Sequence, residues 1–146
     1  MMYTKKIFLF ALVLSFLVVG TVLSFAVSPA LAGEPAQLIT LKGESGTITP
    51  DSVKVKLGTT VVWYNSGPGP VKIEFITKIG LACSVPVNFY ADLFGHYESA
   101  AIPVGGTASI CFIGEGEYDY TVKRMVSKGT DQPIEVSAKG KIISVK

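Results

Sequence analysis

Histidine is scarce in this chain of 146 residues, where His96 is the only one. A serine-histidine-aspartate triad would have to use it, and its neighbours Gly95 and Tyr97 form no supporting pattern. The chain also contains no G-x-S-x-G and no H-E-x-x-H sequence. The Gly105-Gly106 pair lacks the Lys-Ser/Thr that a phosphate-binding loop requires. We therefore predict that the protein is not an enzyme.

The chain also lacks an excess of charge once residues 1–32 are set aside. Those residues contain Lys5, Lys6 and no acidic residue, so residues 33–146 carry eleven basic and eleven acidic side chains from totals of 13 and 11. Nucleic acid or an anionic membrane would favour a basic face. The pair Lys123-Arg124 is typical of a solvated strand end. We expect no nucleic-acid partner and, after removal of residues 1–32, no membrane partner.

Cysteine is nearly as scarce, with Cys83 and Cys111 only. In an exported protein the two would lie in an oxidising compartment, where a disulfide is the default. Such a bridge would stabilise the fold by about 3–4 kcal/mol. The alternative is that the thiols are free and bind a metal, although their spacing is unlike the short C-x₂-C spacing of metal sites.

A long apolar run stands near the N-terminus. Ile7–Val27 carries no charge, follows Lys5 and Lys6, and is followed by Pro29–Ala32, whose two alanines suit an A-x-A cleavage site. This predicts a secretory signal peptide over residues 1–32 that is cleaved after Ala32, and a periplasmic or extracellular location. The alternative is an uncleaved membrane anchor, because the run is long enough to span a bilayer. There is no cysteine near the predicted cleavage site, so we do not expect a lipoprotein.

The rest of the chain is dominated by β-strand patterns. Val53, Val55 and Leu57 alternate with lysines, and Thr59–Asn65 is dense in β-branched and aromatic residues. A proline after Thr47–Thr49 suits a strand end. The predicted strands are Leu38–Lys42, Thr47–Thr49, Val53–Leu57, Thr59–Asn65, Val71–Phe75, Thr107–Ile113, Glu117–Lys123 and Gly140–Lys146.

Two longer segments complete the predicted fold. Thr107–Ile113, the glycine-rich turn Gly114–Gly116 and Glu117–Lys123 predict a β-hairpin. Thr77–Ile102 is irregular and rich in aromatic residues, which favours a cover over the core, with a short helix over Tyr90–Phe94 as one option. With seven to eight short strands and little helix, the chain is predicted to be all-β, a Greek-key β-sandwich.

Three stretches together resemble the cupredoxins, the blue-copper sandwich proteins. Ile48–Asn65 has a proline-ended strand, a V-x-V strand, a Gly-Thr turn and a V-x-W-x-N strand. Pro70–Phe75 stands where the family has the strand that carries its first histidine. Gly116–Val122 resembles the G-x-Y-x-Y segment that leads into the family's copper-binding cysteine. The resemblance covers most of residues 47–123 and the closing strand, and it implies a cupredoxin-like domain over residues 33–146.

The resemblance also implies a copper site, and its ligands are replaced here. A blue-copper centre uses two imidazoles and a thiolate, with a weak axial methionine or carbonyl. Where the family has Pro-His-Asn, this chain has Pro70-Val71-Lys72, and where it has the cysteine, this chain has Val122. Where the family's second histidine would follow, the nearest residue in this chain is Met125. We therefore expect no cofactor, and in particular no copper bound in the family's manner.

These observations predict an exported cupredoxin-like module that acts as a binding or structural part of the cell envelope, for an unidentified protein or small-molecule partner. Its expected interaction surface is the end of the sandwich with the Ser66–Pro70 loop and the loop after Val122, because these loops surround the metal in relatives. Its candidate apolar contacts are Pro68, Pro70 and Met125.

A second hypothesis keeps a metal. A copper-binding or electron-transfer protein with a non-standard site would use the soft ligands of the chain. Those side chains are Cys83, His96, Cys111 and Met125.

Overall fold

The computed structural model describes residues 35–80, 82–126 and 134–146, so the predicted signal peptide over residues 1–32 lies outside the described residues. In these ranges the chain forms strands only, and no helix capable of crossing a membrane is found there. The ten strands are β1 Ala36–Lys42, β2 Thr47–Thr49, β3 Ser52–Lys56, β4 Thr59–Asn65, β5 Val71–Phe75, β6 Phe89–Ala91, β7 Tyr97–Ser99, β8 Thr107–Phe112, β9 Gly116–Val126 and β10 Ile134–Val145.

The strands form two sheets that pack face to face. The four-stranded sheet has the order β2-β1-β4-β8, and the six-stranded sheet has the order β3-β10-β9-β5-β7-β6. β1 pairs with β4 and β3 pairs with β10 in parallel, and the other pairs are antiparallel. The chain changes sheet between β2 and β3, β3 and β4, β4 and β5, β7 and β8, and β8 and β9. The predicted all-β Greek-key sandwich is confirmed.

The core lies between the sheets because one face of each strand is apolar. Trp63 on β4 is fully buried and packs edge-on against rings from the other sheet. Its ring centroid lies 5.7 Å from that of Phe75, 5.5 Å from that of Phe89 and 5.5 Å from that of Tyr120. Burial raises the pKa of Tyr120 to about 12. The aromatic residues of β5, β6 and β9 thus join the two sheets.

The predicted β-hairpin at residues 107–123 is wrong. β8 pairs with β4 in the four-stranded sheet, whereas β9 pairs with β5 and β10 in the six-stranded sheet. Both strands have an apolar face, and placing them across the core buries both faces. The rings of Phe112 and Tyr118 accordingly meet across the connection, with centroids 5.0 Å apart. The glycine-rich turn is therefore a crossing between sheets.

The irregular segment contributes strands, which raises the number above the predicted seven to eight. β6 and β7 lengthen the six-stranded sheet through Tyr90↔Glu98 and Glu74↔Glu98 pairs. The predicted short helix over Tyr90–Phe94 is wrong, because β6 occupies its first half and a turn its second half. Phe89 enters the core beside Trp63, so the segment does cover the core. The closing strand also begins earlier than predicted, at Ile134, because β10 pairs along nearly all of β9.

The strand directions define two ends of the sandwich. The 66–70 end is where β4 finishes at Asn65, β5 begins at Val71 and β9 finishes at Val126. The 92–96 end is opposite, with the turn between β6 and β7 and the connection between β8 and β9. β1 also begins there, since Thr60 at the start of β4 donates its N–H to the Pro35 carbonyl at 2.9 Å.

Candidate functional site

Asn65 holds together the 66–70 end, where the sequence predicts the interaction surface. It is the last residue of β4 and is fully buried. Its Nδ2 donates to the carbonyls of Gly69 at 2.9 Å and Ile102 at 3.0 Å. Its Oδ1 accepts the Gly67 N–H at 3.2 Å and Arg124 Nη2 at 3.0 Å. One amide therefore ties the loop to both sheets, since Arg124 belongs to β9.

Arg124 places a buried cation at this end. Only 1% of the residue is exposed, because it follows Val122 by two positions and so points inward from β9. Nη1 donates to the carbonyl oxygens of Pro68 and of Gly69, the latter at 3.4 Å. Burial lowers the pKa of Arg124. The guanidinium nevertheless keeps its charge, and its hydrogen-bond partners in the described ranges are neutral oxygens.

Gly67 leaves the space that the guanidinium occupies. A Cβ atom on Gly67 would lie 2.5 Å from both Nη1 and Nη2 of Arg124. The glycine in this loop is thus required by close packing against Arg124. Sequence reasoning expected Lys123-Arg124 at a solvated strand end, and for Arg124 this is wrong. The inward alternation of Tyr118, Tyr120 and Val122 was the signal that could have placed it.

The residues that the sequence resemblance assigns to ligand positions are either buried apolar residues or exposed. Val71 and Val122 are core residues, 1% and 0% exposed. Met125 lies on the outer face of β9 and is 53% exposed. This part of the sandwich interior therefore presents methyl groups and a guanidinium.

The structure does not bring the four soft ligands together. Cys83 and Cys111 form a disulfide, with Cα atoms 5.3 Å apart. His96 Nδ1 instead lies 3.2 Å from Asp92 Oδ2. His96 and Met125 are separated by about six rows of the six-stranded sheet, or roughly 20 Å at the usual rise per residue. Across the described ranges, no three His, Cys, Asp or Glu side chains converge as a metal site would require.

A shallow groove of about 370 Å³ adjoins the loop on the outer face of the six-stranded sheet. Pro70 and Met125 both line it, so two of the three predicted apolar contacts meet at one place. Lys72 and Lys123 also line it. Hydrogen bonds from Lys72 to Glu98 and from Lys123 to Glu74 raise the pKa of each lysine. The groove thus combines the apolar side chains of Pro70 and Met125 with charged side chains that form ion pairs.

Comparisons with known proteins give similarity in structure alone. No family model and no characterised protein matches the sequence. A Cu(I) amicyanin variant is 20% identical, with a TM-score of 0.49 over 75% of this chain and 82% of that one. A second reduced Cu(I) amicyanin variant is 19% identical, with a TM-score of 0.48 over 80% and 88%. A purple cupredoxin from Nitrosopumilus maritimus is 18% identical, with a TM-score of 0.47 over 74% and 98%. Cu(I) is named for the two amicyanin variants and is a property of those proteins.

Proposed function

We propose that the protein is an exported, cupredoxin-like binding or structural module of the cell envelope that carries no blue-copper site. The observation that carries this proposal is the content of the 66–70 end. Val122, which the resemblance places at the family's thiolate, is a fully buried apolar residue, and Arg124 two positions later is a buried guanidinium.

These side chains do not fit a copper ion. Copper in such a site needs a thiolate and imidazoles as electron-pair donors, and neither valine methyls nor a guanidinium supplies one. A fixed positive charge two positions from Val122 also repels a second cation at short range in a poorly solvated site. We therefore derive no electron-transfer step for this end.

Recognition of a protein or small-molecule partner is the role that remains for this end. Asn65 and Arg124 hold the Ser66–Pro70 loop through four hydrogen bonds, and Arg124 also donates to Asn65 Oδ1. A loop ordered before binding loses less conformational entropy when a partner docks. Pro70 and Met125 supply an apolar contact, and the ion pairs around them supply a polar rim.

Thiol and metal analysis tests the absence of a metal function. The exported protein is purified without chelator, incubated with one equivalent of copper or zinc and desalted. We expect no free thiol and only trace metal. Two free thiols together with about one bound equivalent would overturn the proposal and support the site of Cys83, His96, Cys111 and Met125.

Site-specific photo-crosslinking in cells tests the interaction surface. A photoreactive residue is placed at Met125 beside the groove, and a matched one at Lys54 on β3, exposed at the edge of the same sheet. We expect a discrete adduct from position 125 and none from position 54. Equal labelling at both positions, or none at position 125, would contradict the proposal that this groove is the interaction surface.

A further inference from the structure

We propose that the 92–96 end of the sandwich rests on a phospholipid bilayer while the N-terminal apolar run is in the membrane, with Leu93 and Phe94 as the contacting side chains. This goes beyond the proposed function, which concerns the opposite end. The occupant is lipid, and a second copy of the chain or a protein partner would be a different outcome of the test.

The turn between β6 and β7 exposes two large apolar side chains at its tip. Leu93 is 100% exposed and Phe94 is 70% exposed. Ile76, on the neighbouring connection after β5, is 59% exposed. Apolar side chains grouped in this way mark a contact with an apolar partner.

The backbone of the turn that carries these side chains is held by hydrogen bonds to Asp92. Asp92 Oδ1 accepts the N–H groups of Phe94 at 2.8 Å and His96 at 2.9 Å. The Asp92 N–H donates to the His96 carbonyl at 2.9 Å, and Gly95 adopts a φ of 82°. The exposure is therefore built into the turn.

The position of Pro35 brings this end close to any membrane that holds the apolar run. Pro35 lies at the 92–96 end, where its carbonyl accepts the Thr60 N–H. The uncharged run ends at Val27, so only residues 28–34 intervene. Seven residues span at most about 25 Å when fully extended. The tether lasts until cleavage if the run is a signal peptide and is permanent if the run is an anchor.

One basic side chain beside the tip suits lipid headgroups, and Glu115 and Glu117 at this end pair with Lys146 and Lys141. The Lys78 side chain passes over Gly95, with its Cε 3.7 Å from the point a Cβ there would occupy. The one carboxylate of the turn, on Asp92, faces His96. An apolar tip with a lysine beside it matches the boundary between acyl chains and phosphates.

The inference agrees with the expectation that the cleaved chain has no membrane partner. Two inserted side chains are a weaker anchor than a single acyl chain, which by itself binds membranes only marginally. The contact orients a tethered chain, and release follows when the tether is cut.

Fluorescence quenching in vesicles tests the proposal with the full-length chain. The chain is reconstituted through residues 1–32 into phosphatidylcholine–phosphatidylglycerol vesicles with brominated acyl chains. One variant is Phe94→Trp, and the matched control is Glu44→Trp, an exposed position on the turn between β1 and β2 at the opposite end. The unsubstituted chain and both variants contain the fully buried Trp63, so the emission of the unsubstituted chain is subtracted as the baseline.

We expect the tryptophan at position 94 to lose roughly half or more of its added emission, because bromine quenches only a ring in contact with acyl chains. The tryptophan at position 44 should lose almost none. No quenching at position 94, or equal quenching at both positions, would overturn the proposal. Protection of position 94 from iodide without bromine quenching would also overturn it and would indicate a protein occupant, with light scattering identifying a second copy. None of these results depends on metal content, so they are independent of the proposed function.

Discussion

A buried arginine whose partners are neutral oxygens is the most informative single residue of this protein. Removing a guanidinium from water is costly unless its donors are satisfied. Here Nη1 and Nη2 meet three oxygens, from Asn65, Pro68 and Gly69, while the buried Nε has no partner among the described residues. The guanidinium in turn supplies a hydrogen-bond donor to each of these oxygens.

Replacing Arg124 by methionine should therefore destabilise the fold. The variant keeps most of the apolar stem but leaves the Pro68 carbonyl and Asn65 Oδ1 without this donor, which should lower the free energy of unfolding by about 2–4 kcal/mol. Urea denaturation measures the change. Lys123→Met on the neighbouring, half-buried position of the outer face is the control and should change stability by less than about 1 kcal/mol. Equal effects of the two substitutions would show that Arg124 does not hold the loop.

Hydrogen bonds of the 92–96 turn depend on pH, because the Asp92 carboxylate accepts them. The His96 N–H that its carboxylate accepts is the main cause of a pKa lowered from the ordinary 3.8. A depressed pKa means that the carboxylate stabilises the turn above pH 3.8 and that this contribution is lost as pH falls through the lower pKa of the folded state. The Phe94 amide signal in NMR should therefore show an acid titration whose midpoint lies below pH 3.8. A midpoint at or above 3.8 would contradict the hydrogen bonding described for the turn.

At the scale of elements, the pairing of β9 with β10 places a glycine opposite a buried tyrosine. Gly140 and Tyr120 are register partners, and the tyrosine ring lies over the glycine so closely that a Cβ atom there would overlap it. The ring can enter the core only because Gly140 has no side chain.

Gly140→Ala should accordingly destabilise the protein by about 1–3 kcal/mol, because the Tyr120 ring must shift within a packed core. Thermal or urea denaturation gives the value. Gly80→Ala is the matched control, since a Cβ at Gly80 would meet nothing within 4 Å and its φ is not positive. If both alanines were tolerated alike, the close packing of Tyr120 on β10 would be refuted.

The disulfide fixes the segment from Cys83 to Val87 alongside β8. Cys83 donates its N–H to the Cys111 carbonyl at 3.3 Å, and Val87 exchanges two backbone hydrogen bonds with Ser109 at 2.9 and 3.0 Å. The bridge closes a sequence separation of 28 residues. It thus fastens the start of the segment that supplies Phe89 to the core.

The double variant Cys83→Ser, Cys111→Ser should lose about 3–4 kcal/mol of stability, the chain-entropy value for a loop of this size. Hydrogen exchange at Val87 should become faster, while metal content should stay at trace level in both proteins. A wild-type protein that gains one equivalent of copper on mild reduction, when the double variant does not, would instead favour the metal hypothesis.

At the scale of the whole molecule, the two ends of the sandwich differ in chemistry. The 66–70 end has an ordered loop, a buried cation and a groove with a polar rim. The 92–96 end has an apolar tip and the point where the chain arrives from its N-terminal run. In the arrangement we propose, the partner surface points away from the membrane, because the strands connecting the two ends span the length of the sandwich.

The amino-acid sequence by itself determined the strands whose patterns are local. Thr59–Asn65 and Val71–Phe75 agree with β4 and β5 residue for residue, because β-branched and aromatic density in the first and alternation of apolar side chains in the second are local marks of a strand. The scarcity of histidine and cysteine likewise needed no coordinates to disfavour the usual copper ligands.

Only the tertiary structure decided how those strands combine. Nothing local distinguishes a hairpin from a crossing between sheets, so the separation of β8 from β9 depended on their partners β4, β5 and β10, which are distant in sequence. The burial of Arg124 has the same origin, since its oxygen partners lie 55–59 residues away along the chain. A pattern along the chain reports which face of a strand is buried, whereas only the packing of distant strands determines what that face meets.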